Sequence, residues 1–188
     1  MRTLLICSLL LITLKAVADD SLWQMLQQDS NMIVLMRNSE SSGNREGGNM
    51  LVWDASGNCQ GESTLTVKGK AHAKRIGEAF EKHGIRPIVI SSPMCRCSET
   101  AAIAFGEYVT DPNLRQSPIE DMQQREIFQA KTRALLAKYR GITPVVFVNH
   151  RPNIDSLTME LLEIGDLLVG YISDTGEIEV SGKIRVEQ

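Results

Sequence analysis

The sequence lacks the features of a nucleic-acid-binding protein. It has no run of basic residues, and its 20 lysines and arginines are outnumbered by 23 aspartates and glutamates. A net charge of −3 argues against the basic surface that nucleic-acid binding requires. Histidines are also few, and none stands near the Cys95-x-Cys97 pair at the spacing of a metal site. We therefore expect no nucleic-acid partner, no metal and no cofactor.

Hydrophobic runs long enough to span a membrane are missing as well. Thr3 to Leu14 is nearly all apolar, but this run is too short to cross ~30 Å of hydrocarbon. It follows a basic start and precedes Ala16-Val17-Ala18, a small-x-small cleavage sequence. We interpret residues 1–18 as a secretory signal peptide. Residues 19–188 would then form one domain, exported to the periplasm or secreted, with no membrane span after cleavage.

An exported chain meets an oxidising compartment, so its remaining cysteines are candidates for a disulfide. Three cysteines follow the signal peptide: Cys59, Cys95 and Cys97. A bridge between Cys95 and Cys97 would be strained, because the two residues are only two positions apart. We expect Cys59 to pair with either Cys95 or Cys97, leaving one free thiol.

The remaining chain alternates short apolar runs with helical patterns. Three runs predict strands buried on both faces, and Asp174-Thr175-Gly176 predicts a hairpin turn near the end. The predicted strands are Met32–Met36, Pro87–Ile90, Pro144–Val148, Leu167–Ile172 and Glu177–Val180. The predicted helices begin near Thr66, Pro93, Ser117 and Pro152 and end at Gly84, Gly106, Gly141 and Gly165. This alternation predicts a three-layer α/β/α sandwich around a mostly parallel sheet.

Polar or cationic residues directly follow each of the first three predicted strands. Arg37 ends the first strand, Arg96 opens the helix after the second, and His150 follows the third. Ligands of open α/β sheets bind at the carboxyl ends of the strands. Guanidinium groups bind phosphate bidentately, and a helix N-terminus adds backbone N–H donors. The pattern favours one pocket for a phosphate monoester or another tetrahedral anion. The alternative is that each arginine merely ends a strand at the surface.

The order of these pieces resembles the histidine phosphatase (phosphoglycerate mutase-like) superfamily, in particular its small exported single-domain members. The matching segments are Leu35-Met36-Arg37-Asn38, Leu65 to Ala73, Ser91-Ser92-Pro93-Met94-Cys95-Arg96-Cys97-Ser98-Glu99-Thr100-Ala101 and Val148-Asn149-His150. The resemblance implies a phosphate pocket formed by Arg37, Arg96 and His150. It also implies a phosphorylated small molecule or a phosphorylated protein as the partner.

The chain departs from the family pattern at Asn38. In the family, a histidine directly after the first arginine attacks phosphorus and becomes transiently phosphorylated. An amide cannot form that phosphoramidate intermediate, although it can donate a hydrogen bond to a phosphate oxygen. Three hypotheses follow. The protein binds phosphate monoesters but hydrolyses them poorly or not at all; it is an active phosphomonoester hydrolase using the Arg37/Arg96/His150 pocket; or it is a non-enzymatic envelope scaffold or partner protein.

A proton donor for the leaving group would be a carboxylic acid near the pocket. Glu120, Asp121 and Glu40 are candidates, but Glu120 also completes a capping box that begins at Ser117. We assign no catalytic role to His72, which is expected to face solvent, or to His83, which lies at a helix C-terminus.

The long glycine-rich stretch from Ser39 to Ser63 leaves the proposed pocket directly. Structureless loops of this length in compact domains are usually functional or disordered. We expect this loop to line the pocket. Asn153 and Asp155 follow His150 closely and are expected to begin the last helix instead of touching a ligand.

Overall fold

A six-stranded sheet forms the centre of the protein in the computed structural model, which describes residues 20–43, 50–116, 121–142 and 144–187. The predicted signal peptide and the candidate acid Glu120 lie outside these ranges. The strands are β1 (Met32–Arg37), β2 (Ile88–Ser91), β3 (Val109–Thr110), β4 (Val145–Asn149), β5 (Leu167–Ile172) and β6 (Ile178–Ile184). Their order across the sheet is β3-β2-β4-β1-β5-β6.

Four strands of this sheet run parallel, and the last two form an antiparallel extension. β1 and β2 each pair in parallel with β4, and β3 pairs in parallel with β2. β5 pairs antiparallel with β6, as the predicted hairpin requires, and its other side pairs antiparallel with β1. In register, Arg37 lies opposite Asn149 and Ser91 lies opposite Val148. The carboxyl ends of β1, β2 and β4 therefore lie side by side at one end of the strands.

In the described part of the chain, five α-helices of eight or more residues cover the sheet. They are α1 (residues 20–28), α2 (Val67–Lys82), α3 (Cys95–Phe105), α4 (Met122–Lys138) and α5 (Arg151–Thr158). Side chains cap two of them: Thr66 accepts a hydrogen bond from the Gly69 amide at the start of α2, and Asp121 accepts one from the Gln124 amide at the start of α4. None of the described helices is both long and apolar enough to cross a membrane.

Alternate residues of β1 point into two separate cores. Met32, Val34 and Met36 pack beneath α1, α2 and α3, whereas Ile33 and Leu35 pack beneath α4 and α5. Every residue of β1 is buried, which explains why the strand reads as one unbroken apolar run. The predicted three-layer α/β/α sandwich with a mostly parallel sheet is confirmed.

Two predicted helix boundaries are wrong. α4 begins later than predicted, at Met122 behind an Asp121 cap, and the predicted capping box Ser117–Glu120 lies outside the described residues. α5 ends at Thr158 instead of Gly165, because Met159 adopts a left-handed conformation with φ of 58°. A loop then crosses the edge of the sheet, where its buried Leu162 packs into the second core. Local sequence pattern does not record that long-range contact.

His72 is buried and does not face solvent as expected. It lies in α2 with 1% of its surface exposed, and its Nε2 is 3.0 Å from the Val186 carbonyl oxygen. The C-terminal segment after β6 covers this part of α2. Helical periodicity alone could not show that cover, because the two segments are 114 residues apart in sequence.

Candidate functional site

Three strand ends are joined by backbone hydrogen bonds at one edge of the sheet. Just after β1, the Asn38 amide donates to the Asn149 carbonyl at 3.1 Å. Just after β2, the Ser92 amide donates to the Val148 carbonyl at 2.9 Å. The pairing of the strands therefore continues beyond their ends. It holds the segments that carry Asn38, Ser92 and His150 next to one another.

His150 lies directly beyond β4 and is 1% exposed. Its Nε2 is 2.8 Å from Ser92 Oγ, and the buried Cys97 thiol lies 3.6 Å from both ring nitrogens. Burial, followed by the positive charge of Arg96, holds the pKa of His150 well below its usual range. The imidazole is therefore neutral at pH 7 and can accept a proton from a hydroxyl group or donate an N–H bond, depending on its tautomer.

Arg96 lies in the first turn of α3 and is 1% exposed. Its Nη2 donates to the Met50 carbonyl at 3.0 Å and to Gln116 Oε1 at 2.8 Å. Within the described ranges, its Nε and Nη1 are buried without a hydrogen-bond partner. Burial lowers the pKa of Arg96, but a guanidinium group keeps its charge in proteins.

A buried cation with unpaired donors is costly unless an anion binds to it. The Nε and Nη1 groups of Arg96 lie on either side of Nη2, so each offers a separate N–H donor to a phosphate oxygen. Neutral His150 lies close enough to Arg96 for the two to interact electrostatically. Together these groups can bind a tetrahedral oxyanion and supply an N–H donor to it.

Arg37 is oriented differently from Arg96. It follows Leu35 in the alternation along β1, so its side chain leaves the strand on the face covered by α4 and α5. Its Nη1 donates to the Leu162 carbonyl at 2.7 Å. Burial, followed by the charge of Arg151, lowers the pKa of Arg37. Arg37 thus lies at the same edge of the sheet as His150, with one donor already used by the loop after α5.

Asn38 occupies the position where the resemblance implies a nucleophilic histidine. It is 5% exposed, and its Nδ2 donates to the Ser39 carbonyl at 2.8 Å. The Ser39 amide in turn donates to Thr100 Oγ1 of α3 at 3.1 Å. These contacts connect Asn38 with the helix that carries Arg96. The side-chain amide of Asn38 is thus already engaged in a hydrogen bond to its neighbour in the chain.

The loop from Met50 to Ser63 contacts Arg96 and the start of α3. A disulfide joins Cys59 to Cys95, the residue before Arg96, with a Cα–Cα distance of 5.8 Å. Glu62 strengthens this attachment, because its two carboxylate oxygens accept from the amides of Cys95 at 2.8 Å and Asp54 at 2.7 Å. Of the two pairings that the sequence allowed for Cys59, the structure has the one with Cys95, and Cys97 is the free thiol.

Sequence analysis assigned no role in this region to three residues that contribute to it: Ser92, Gln116 and Asn153. Ser92 and Gln116 contact His150 and Arg96, as described above. The Nδ2 of Asn153 donates to the Arg115 carbonyl at 2.8 Å and lies 2.9 Å from Asn149 Oδ1, so it positions the segment that carries Gln116. Ser92 follows a buried strand end, which was a usable signal; Gln116 has no such pattern around it.

The candidate acid Glu40 is 8% exposed, and its Oε1 accepts from Thr66 Oγ1 at 2.7 Å. Its backbone carbonyl lies so close to Gly69 that a Cβ there would come within 2.0 Å of the oxygen. Glu40 thus contacts the N-terminus of α2. Among the residues that the structure describes, no group of three or more His, Cys, Asp or Glu side chains could hold a metal ion.

Comparison with known proteins gives one family match and several similar structures. The model of the histidine phosphatase superfamily (branch 1) matches residues 33–139. Phosphoserine phosphatase from Entamoeba histolytica, in complex with 3-phosphoglyceric acid, is 15% identical with a TM-score of 0.64, covering 83% of this chain and 98% of that one. The protein histidine phosphatase SixA, complexed with tungstate, is 14% identical with a TM-score of 0.55, covering 81% and 96%.

A third similar structure is the mycobacterial glucosyl-3-phosphoglycerate phosphatase Rv2419c. It is 17% identical with a TM-score of 0.60, and the similarity covers 80% of this chain and 97% of that one. At these identities the likeness concerns the fold. No curated protein sequence matches significantly.

Proposed function

The chain belongs to the histidine phosphatase superfamily (branch 1), and on that premise we propose that it is an exported protein that binds phosphate monoesters beside Arg96 and His150. We further propose that it hydrolyses them slowly or not at all. Its ligand would be a phosphorylated small molecule or a phosphorylated protein. Phosphatases with the same fold have been crystallised with 3-phosphoglyceric acid and with tungstate, both of which carry tetrahedral oxyanions.

The observation that carries this proposal is the state of Arg96. Its guanidinium group is almost fully buried, yet Nε and Nη1 have no acceptor in the described part of the chain. Leaving such donors unpaired in a protein interior costs about 1–3 kcal/mol per group. A phosphate oxygen that accepts from either donor would remove the cost of that group. The site therefore favours an anion over a neutral ligand.

The lack of hydrolysis follows from the chemistry of Asn38. A phosphoryl group can be transferred to an imidazole nitrogen, whose lone pair is available, but the lone pair of an amide nitrogen is delocalised into the carbonyl. The Asn38 amide also donates to the Ser39 carbonyl. Binding can persist without the nucleophile, because binding uses Arg96 and the covalent step would use position 38.

One observation favours a second candidate, an active phosphomonoester hydrolase. His150 Nε2 lies 2.8 Å from Ser92 Oγ, and a neutral imidazole at that distance can act as a general base. In this alternative, His150 would activate a hydroxyl group or a water molecule beside the anion. Measured turnover separates the two candidates.

The first test measures anion binding by isothermal titration calorimetry with phosphate, vanadate and tungstate. We expect binding to the mature protein and a loss of at least about tenfold in affinity for Arg96→Met, which keeps the aliphatic stem but removes every donor. Arg140→Met, at an exposed turn just after α4, serves as the matched control and should bind as the unaltered chain does. Equal affinity for Arg96→Met and the unaltered chain would remove Arg96 from the site.

The second test measures hydrolysis of a generic phosphomonoester such as p-nitrophenyl phosphate. The unaltered chain should show near-background turnover, and Asn38→His should raise it, because it restores an imidazole at the position of the nucleophile. A turnover of about 1 s⁻¹ or more by the unaltered chain, typical of an enzyme, would favour the hydrolase instead.

A further inference from the structure

An apolar surface surrounds β3 at one edge of the sheet. Pro87, Ile88, Tyr108 and Val109 line a groove of about 580 Å³ there, and the last three of these residues are between 36% and 56% exposed. A second groove, of about 750 Å³, adjoins the first, because Pro87 and Glu107 line both. Large apolar side chains that lie together on a protein surface are typical of a site of protein contact.

The backbone of β3 offers a free strand edge beside these grooves. β3 is the outermost strand on this side of the described sheet, and its inner neighbour is β2. The Asp111 amide donates to the Ser91 carbonyl of β2 at 2.9 Å. Because backbone groups alternate in direction along a strand, the N–H and C=O groups of the exposed Thr110 point away from β2. An edge of this kind can pair with a further strand, including the same strand of a second copy.

Charged side chains of both signs line the second groove: Arg86, Glu81 and Glu107. None of the three forms an ion pair with another residue that the structure describes. A partner with charge of one sign would leave either the cation or the acids unpaired. A second copy, rotated about a two-fold axis, instead brings a cation to an acid on both sides of the contact. Glu107 is the acid nearest in sequence to β3 and lines both grooves, so it is the expected partner of Arg86.

We infer that two copies of this chain form a symmetric dimer through the two grooves and the free edge of β3, with Arg86 of each subunit opposite the partner subunit's Glu107. The exposed apolar side chains of Ile88, Tyr108 and Val109 become buried in this contact, which supplies its hydrophobic part. The contact uses no residue of the proposed anion site. The dimer is therefore independent of the proposed function, and either can fail without the other.

Sedimentation velocity of the mature protein, at concentrations from about 1 to about 200 μM, measures the association. We expect the average mass to rise from that of one chain toward that of two as the concentration increases. A protein that remains monomeric over the whole range would overturn the inference. A mass that passes two chains and continues to rise would also overturn it, because a symmetric contact closes at the dimer.

Val109→Lys tests the apolar part of the contact, because it places an ammonium group where the grooves meet the strand edge. This variant should associate at least about tenfold more weakly than the unaltered chain. Met159→Lys is the matched control, since Met159 is 89% exposed directly after α5 and lines neither groove. The control should associate as the unaltered chain does. Undiminished association of Val109→Lys would show that another surface forms the dimer, and the inference would be wrong.

A charge exchange tests the pairing of Arg86 with Glu107. Arg86→Glu and Glu107→Arg each place like charges opposite one another, and each should weaken association about threefold or more. The double variant Arg86→Glu/Glu107→Arg restores both pairs with their signs exchanged and should associate within about twofold of the unaltered chain. Both side chains are exposed, so the variants should fold, as thermal melting will verify. A double variant that recovers none of the lost affinity would overturn the pairing.

Discussion

The side chains at the strand ends of the proposed site make different contacts. Arg96 and His150 are both about 1% exposed, and the charge of Arg96 acts on the His150 imidazole. Arg37 instead donates to the Leu162 carbonyl on the face covered by α4 and α5. The described partners of Arg37 thus differ from those of Arg96 and His150 at the same end of the sheet. The alternation of side chains along β1 places Arg37 on the same face as Leu35.

The burial of His150 predicts a dependence of stability on pH. Its pKa is lowered in the folded protein, so the unfolded chain, with an ordinary pKa near 6.5, binds the proton more readily. The contribution of His150 to the free energy of unfolding is therefore fully present above about pH 6.5 and is lost as the pH falls below that value. One histidine that binds a proton only in the unfolded state changes the free energy of unfolding by at most about 1.4 kcal/mol per pH unit.

Urea unfolding between pH 7.5 and pH 5.5 would measure this slope. His150→Asn should show a smaller loss of stability than the unaltered chain over the same range. A residual slope is expected, because burial also lowers the pKa of His72. Identical slopes for the two proteins would mean that His150 titrates normally in the folded state.

Among the larger elements, the loop from Met50 to Ser63 connects the disulfide to the proposed site. Its Met50 carbonyl accepts from Arg96, its Trp53 ring stacks on Arg115, and its Cys59 is bonded to Cys95 at the start of α3. One covalent bond therefore secures several weak contacts around the two arginines. The loop supplies acceptors that orient the guanidinium groups before a ligand arrives.

Removing the disulfide should destabilise the protein and weaken anion binding together. The bonded cysteines are 36 positions apart, and a loop of that size corresponds to about 3–4 kcal/mol in the chain-entropy account. The Cys59→Ser/Cys95→Ser double variant should melt at a lower temperature and bind phosphate less tightly, because the loop no longer holds Arg96.

Reduction of the unaltered protein with a phosphine reductant provides the control for that experiment. The unaltered chain should respond to the reductant in both measurements, whereas the double variant, which has no bond to lose, should not. Unchanged phosphate affinity in the double variant would show that the loop packs over Arg96 without help from the disulfide.

For the whole molecule, we predict that export removes residues 1–18. A signal peptide of residues 1–18 would be removed in a secretory bacterial host, giving a chain that begins at Asp19. Intact-mass measurement of the exported protein should show this loss. Ala18→Phe should block processing, because the cleavage site requires a small residue there. An exported protein that retains its first residues would contradict the assignment.

Much of the architecture could be predicted from local pattern. Runs such as Met32–Met36 and Pro144–Val148 are apolar at every position because both faces of the sheet are covered, and alternation with helical periodicity then defines the three layers. The short strand β3 was missed, since Val109 and Thr110 are exposed and too few to give a pattern. The early end of α5 was missed because a left-handed Met159 has no sequence signal comparable to glycine.

The sequence by itself determined which residues stand at the strand ends, and its resemblance to the family implies that Asn38 stands where a nucleophilic histidine is expected. Those facts depend only on chain order and on the chemistry of each side chain. Tertiary structure alone decided that Cys59 pairs with Cys95, that Met50 and Gln116 bind Arg96, and that Arg37 turns away toward Leu162. These partners are 20 to 125 positions apart in the chain, and such contacts exist only once the layers have packed.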